Sequence, residues 1–108
     1  MKNLLLLMFL SISTVCFSQV EVIQFNANWN SANSVNWLSK LTDCKVKEIC
    51  IVADKAAQTK YKIVVVPTII VLDHGEEVKR YQANIMMQME AKLDEVQTIV
   101  DETVMESF

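Results

Sequence analysis

Hydrophobic and polar positions along this chain change period several times, and each change marks an element. Val20-Glu21-Val22-Ile23-Gln24-Phe25 alternates and then turns apolar, which predicts a strand. Val35, Leu38 and Leu41, with Trp37 alongside, recur at helical spacing and predict a helix opening at Asn30 or Ser31 and running to about Thr42. Either residue has the side-chain oxygen that a helix N-cap needs. After the short connection Asp43-Cys44-Lys45, the stretch from Lys47 to Ala53 carries Ile49-Cys50-Ile51-Val52. That run is apolar on both faces, as expected of a buried parallel strand. Asp54 then caps a short helix from Lys55 to Tyr61.

Ile63 to Leu72 is the most β-prone stretch, with Pro67 at the strand entrance because proline brings no N–H to a ladder. Asp73-His74-Gly75-Glu76 has turn chemistry around the single glycine, and Glu77 to Gln82 returns as a charged antiparallel edge. Met86, Met89, Leu93, Val96, Val100 and Val104 close the chain with an amphipathic helix reaching about Met105. The order is β-α-β-α-β-β-α, an α/β domain with a mixed four-stranded sheet. Strands separated by helices are expected to pair in parallel, and the tight turn makes the last pair antiparallel.

Residues 1–18 stand apart from this pattern. Lys2, the apolar run Leu4 to Leu10 and the small Ser18 before Gln19 have the layout of a secretory signal peptide, too short for a membrane span. Residues 19–108 then form the domain, exported to the periplasm or secreted. Lipid attachment at Cys16 is the lesser alternative, since Val15 is bulkier than such sites prefer. The 108-residue chain holds 10 basic and 13 acidic side chains; without Lys2 the domain has 9 against 13, a net charge of −4. A mildly acidic domain with no basic block disfavours nucleic acid, and nothing in residues 19–108 is long and apolar enough to span a bilayer.

The segment Phe25-Asn26-Ala27-Asn28-Trp29-Asn30-Ser31-Ala32-Asn33 resembles the active-site segment of the thioredoxin family, F-x-A-x-W-C-x-x-C, with asparagine in place of both cysteines. Val66-Pro67-Thr68 resembles that family's cis-proline loop, and Lys60 to Ile63 and Asp73 to Glu76 fall where the family has equivalents. The resemblance covers residues 19–108 and implies a minimal thioredoxin fold. It also implies an extended-peptide groove formed by Trp29, Val66 and Pro67. Three features depart from the family. Its strand-helix units before the active-site strand are missing, Gln24 stands where it commonly has a buried aspartate, and Tyr81-Gln82-Ala83 lacks a glycine often found there.

Thiol–disulfide exchange needs a thiolate and a resolving thiol. Asparagine ionises to no nucleophile and forms no disulfide, so Asn30 and Asn33 predict no catalytic dithiol and read as capping residues. A direct ligand contact is the alternative for Asn30. Cys44 and Cys50 are separated by six steps, roughly 20 Å if extended, beyond disulfide reach. Cys50 reads as a buried, inert thiol; Cys44, at the opposite end of the sheet from Asn30, reads as the more exposed and a possible redox thiol. His74 reads as a solvated turn residue and the Met86-Met87-Gln88-Met89 cluster as packing or contact surface, so no metal or cofactor is expected. Three functions remain open: a redox-inactive module binding an extended polypeptide or protein in the cell envelope, a residual oxidoreductase or redox sensor using Cys44 with or without Cys50, and a structural envelope subunit.

Overall fold

Why the chain re-enters its sheet where it does follows from one short helix. The computed structural model describes residues 19–106, so the expected signal peptide and the Cys16 alternative lie outside the described residues. Strand β1 spans Val20–Asn26 and is followed by two 3-10 segments, Asn28–Asn33 and Leu38–Lys40. Strand β2 spans Lys45–Cys50 and helix α1 spans Lys55–Tyr61. Strands β3 (Thr68–Asp73) and β4 (Glu76–Gln82) form a hairpin, and helix α2 (Leu93–Glu106) ends the described chain. The four strands lie in the order β2-β1-β3-β4.

β1 and β2 pair in parallel and β3 and β4 antiparallel, as expected, but β3 runs antiparallel to β1. The seven residues of α1 rise only about 10 Å, roughly half the length of a typical strand. α1 therefore does not carry the chain back to the far end of the sheet, and β3 starts at the end where β1 and β2 finish. Asp54 caps α1 as expected, its carboxylate accepting the Ala57 N–H at 3.0 Å.

Three further expectations are corrected. No α-helix follows β1, because the Asn- and Ser-rich segment uses side chains where helical backbone bonds would stand. Asn30 has non-helical backbone angles, and the Val35 N–H goes to Gln24 Oε1 at 2.9 Å. Leu38 and Leu41 still reach the core without the helix. β2 is an edge strand, exposed from Lys45 to Glu48, because no described strand lies beyond it. The last helix starts at Leu93 rather than Met86. Asn84 Oδ1 captures the N–H groups of Met86 and Gln88 and folds that stretch into a loop. At the actual start, Glu95 reaches back to the Lys92 N–H at 3.2 Å, half of a capping box.

Two apolar layers flank the sheet. Val20, Val22, Ile69 and Val71 pack with Leu38, Leu41, Val96 and Val100 on one face. Ile23, Phe25, Ile70 and Leu72 pack with Ala57, Ile63 and Val66 on the other. β1 and β3 are therefore buried on both sides, and their side chains carry most of the core. Ile70→Ala, at a fully buried position of β3, is expected to destabilise the domain by about 2–5 kcal/mol. Val46→Ala on exposed β2 is expected to change stability by less than about 0.5 kcal/mol. Urea unfolding midpoints of the two variants check the contrast.

Candidate functional site

β1 delivers Asn26 to the end of the sheet where the loops before β3 and after β4 also gather. Asn26 Nδ2 donates to the Ser34 hydroxyl at 2.6 Å and to the Asn30 carbonyl at 3.1 Å. Asn26 Oδ1 accepts from Asn30 Nδ2 at 3.2 Å, and the same Asn30 nitrogen donates to the Val66 carbonyl at 3.4 Å. Asn33 Nδ2 donates to Asn30 Oδ1 at 2.8 Å. Asn30 is only 6% exposed, so these bonds replace the water its amide would otherwise hold.

The capping role expected of Asn30 is thereby corrected. Ala27 precedes the 3-10 segment and makes no side-chain cap bond, while Asn30 lies within the segment with both ends of its amide engaged. It ties the turn after β1 to the loop before β3. Asn26 and Ser34 complete the network and escaped the sequence reading; the signal was a polar Asn26 directly after the apolar run to Phe25. Gln24 is also buried and fully used: it accepts from the Val35 N–H and donates to Glu48 Oε1 at 2.9 Å. An amide does not titrate, so Gln24 holds the turn in place and carries no proton.

Of the residues expected to form the groove, Val66 is tied through its carbonyl to Asn30, the chain neighbour of Trp29, and adjoins Pro67. The Val66–Pro67 peptide bond is cis, and both side chains are buried while Trp29 is 64% exposed. The Pro67 carbonyl accepts from the Ala83 N–H at 3.0 Å, which brings the loop after β4 to the same end. The Val66 N–H has no hydrogen-bond partner among the described residues. Exposed apolar side chains lie on the loops that meet at this end: Trp29, Val64 at 82%, and Ile85 at 98% followed by Met86.

Cys44 and Cys50 are both free and half-buried, at opposite ends of β2. Burial, then the carboxylates of Asp43 and Asp101, push the Cys44 thiol up to about 11. Cys50 is level with Asn26 and lines a cavity of about 250 Å³ with Asn28, Ser31 and Ser34. Hydrogen bonds from the backbone of Ala53, then Val52, hold its thiol below the ordinary value against some desolvation, with Asn28 adding a smaller share. Of the two thiols, Cys44 is thus the one raised and Cys50 the one lowered.

His74 is exposed in the hairpin turn with Nδ1 2.8 Å from Asp73 Oδ1. Among the described residues no cluster of His, Cys, Asp or Glu is arranged to hold a metal ion. No helix among them is long and apolar enough to cross a membrane.

No family model matches this sequence, and no curated protein matches it significantly. Solved structures do. A single-site mutant of a thioredoxin from Halobacterium salinarum superposes with a TM-score of 0.63 at 22% identity, over 81% of this chain and 76% of that one. Malaria parasite thioredoxin-2, described as a component of the parasite's protein secretion machinery, gives 0.63 at 16% identity over 82% and 86%. Thioredoxin 1 from Thermosipho africanus gives 0.59 at 18% over 81% and 97%.

The chain has a thioredoxin fold. Within that fold the Asn26–Asn30–Asn33 amides occupy the turn that the sequence resemblance equates with the dithiol. Alkylation with iodoacetamide, followed by mass spectrometry across pH, distinguishes the two thiols. Cys50 is expected to reach half-maximal rate below the pH of an ordinary cysteine, and Cys44 only near pH 11.

Proposed function

We propose that this protein is an exported, non-catalytic module of thioredoxin fold that holds an extended polypeptide of the cell envelope against the loop preceding Pro67. The observation that carries the reading is the Asn30 amide. It is buried and bonded to Asn26, Asn33 and Val66, so the turn is braced without a thiol. A braced loop with an open Val66 N–H and exposed apolar neighbours suits backbone pairing with an extended chain, the side chains of Trp29 and Val64 gripping alternate residues. The signal-peptide layout of residues 1–18 supports export to the periplasm or outside the cell.

A second reading rests on Cys50. A thiolate there would attack a disulfide sulfur, form a mixed disulfide and release the other half as a thiolate. Cys44 lies at the other end of β2 with its thiol pushed up, so no second thiol in the described chain stands ready to resolve the adduct. Cys50 would thus sense or store a thiol rather than turn over.

Insulin reduction and peptide binding test these readings together. The protein is expected to show no reductase turnover and to bind an unfolded, apolar polypeptide probe such as reduced, carboxymethylated lactalbumin. Trp29→Ala is expected to weaken that binding roughly 10- to 100-fold, as loss of an aromatic anchor does. Asn30→Cys with Asn33→Cys is expected to gain measurable reductase activity. Turnover by the parent that survives Cys44→Ser and Cys50→Ser would overturn the non-catalytic reading.

A further inference from the structure

The outer edge of β2 is a second surface, separate from the loops around Val66. Ile51 donates its N–H to the Asn26 carbonyl at 2.9 Å, so odd-numbered residues of this strand turn their backbone groups toward β1. Val46 and Glu48 turn theirs outward, where no described strand meets them. Lys45 and Lys47 are exposed, project from the same sheet face two residues apart, and form no ion pair among the described residues. Their nearest cross-strand neighbours are Glu21, opposite Lys45 in register, and the apolar Ile23, opposite Lys47. On the opposite face Glu48 is engaged by Gln24, and a cavity of about 370 Å³ opens beside Val46, Val35 and Leu38, with Lys47 and Glu48 at its edge.

A second copy of the chain fits this edge poorly. Two β2 strands related by a two-fold axis pair antiparallel, and the registers centred on the strand set Lys47 against Lys47 or Glu48 against Glu48. Lysine on an open edge also deters self-association in general. The same two lysines favour an edge-pairing strand of opposite charge. Discrimination of this kind needs both the attractive and the repulsive element, and both are present here.

We infer that β2 accepts in trans an extended polypeptide strand with acidic side chains at alternate positions and apolar ones between. Its backbone would complete the hydrogen bonds of Val46 and Glu48. Its carboxylates would meet Lys45 and Lys47, and an apolar side chain would enter the cavity beside Val46 and Leu38. The sheet would then gain a fifth strand.

The probe is a blocked hexapeptide alternating valine and glutamate, with a valine–lysine hexapeptide as control, titrated into the purified ¹⁵N-labelled protein. The acidic peptide is expected to shift the Val46 and Glu48 amide signals and slow their hydrogen exchange, and to weaken with added salt. The doubly charge-reversed variant K45E/K47E lies on an exposed edge, and its retained fold is read from the same spectra. It is expected to lose affinity for the acidic peptide roughly tenfold or more and to gain it for the lysine peptide. Equal binding of both peptides, shifts confined to Trp29 and Val66, concentration-dependent self-association through β2, or no shift at all would each overturn the inference.

Discussion

The amide of Asn30 holds together the end of the molecule that matters. Two of its bonds stay within the turn after β1, and one crosses 36 residues of sequence to the Val66 carbonyl. Removing a partner from such a buried set leaves the others unsatisfied, which costs about 1–3 kcal/mol for each neutral group stranded. No buried side-chain nitrogen or oxygen is left without a partner among the described residues, so the network is complete as it stands. Complete polar networks specify one arrangement of a loop more sharply than apolar packing does. The turn after β1 is consequently fixed against the cis Val66–Pro67 loop by side-chain amides.

That bracing also explains the division of labour between amides and backbone. Asn26, Asn30, Asn33 and Gln24 spend their polar groups inward, on one another and on Glu48, Ser34 and Val35. Little of the amide cluster is left to grip a ligand. At the same end remain a Val66 N–H without a hydrogen-bond partner among the described residues and the exposed apolar side chains Trp29, Val64 and Ile85. Cys50 lies at the same end, its thiol held below the ordinary value by hydrogen bonds from the backbone of Ala53 and Val52.

Much of this was legible in the residues. The alternating-then-apolar run marked β1, the β-prone stretch after Ile63 marked β3, the turn at Gly75 with its charged return marked β4, Asp54 marked the start of α1, and Pro67 marked the entrance to β3. The two loop motifs meet through the bond from Asn30 to the Val66 carbonyl. Failures came where side chains overrode backbone pattern. Helical spacing at Val35, Leu38 and Leu41 was real, but it recorded burial, while side-chain bonds of Gln24, Asn26, Asn30 and Asn33 hold the backbone before them out of an α-helix. Asn84 likewise cut Met86 and Met89 away from the final helix. β2 looked buried because Ile49 to Val52 is apolar, yet the strand ends at Cys50 and its first four residues face solvent. Edge or centre is set by sheet order, which local pattern does not encode.

The central claim is that Asn30 acts as a brace and not as a ligand contact, and a double-mutant cycle between Asn30→Ala and Asn26→Ala tests it most directly. Urea unfolding supplies the stabilities, and peptide titration on the same samples supplies the affinities. Asn30→Ala is expected to lose about 1–3 kcal/mol of stability, with a coupling to Asn26 of at least about 0.5 kcal/mol. An Asn30→Ala protein that unfolds like the parent, shows no coupling to Asn26 and yet no longer binds peptide would contradict it.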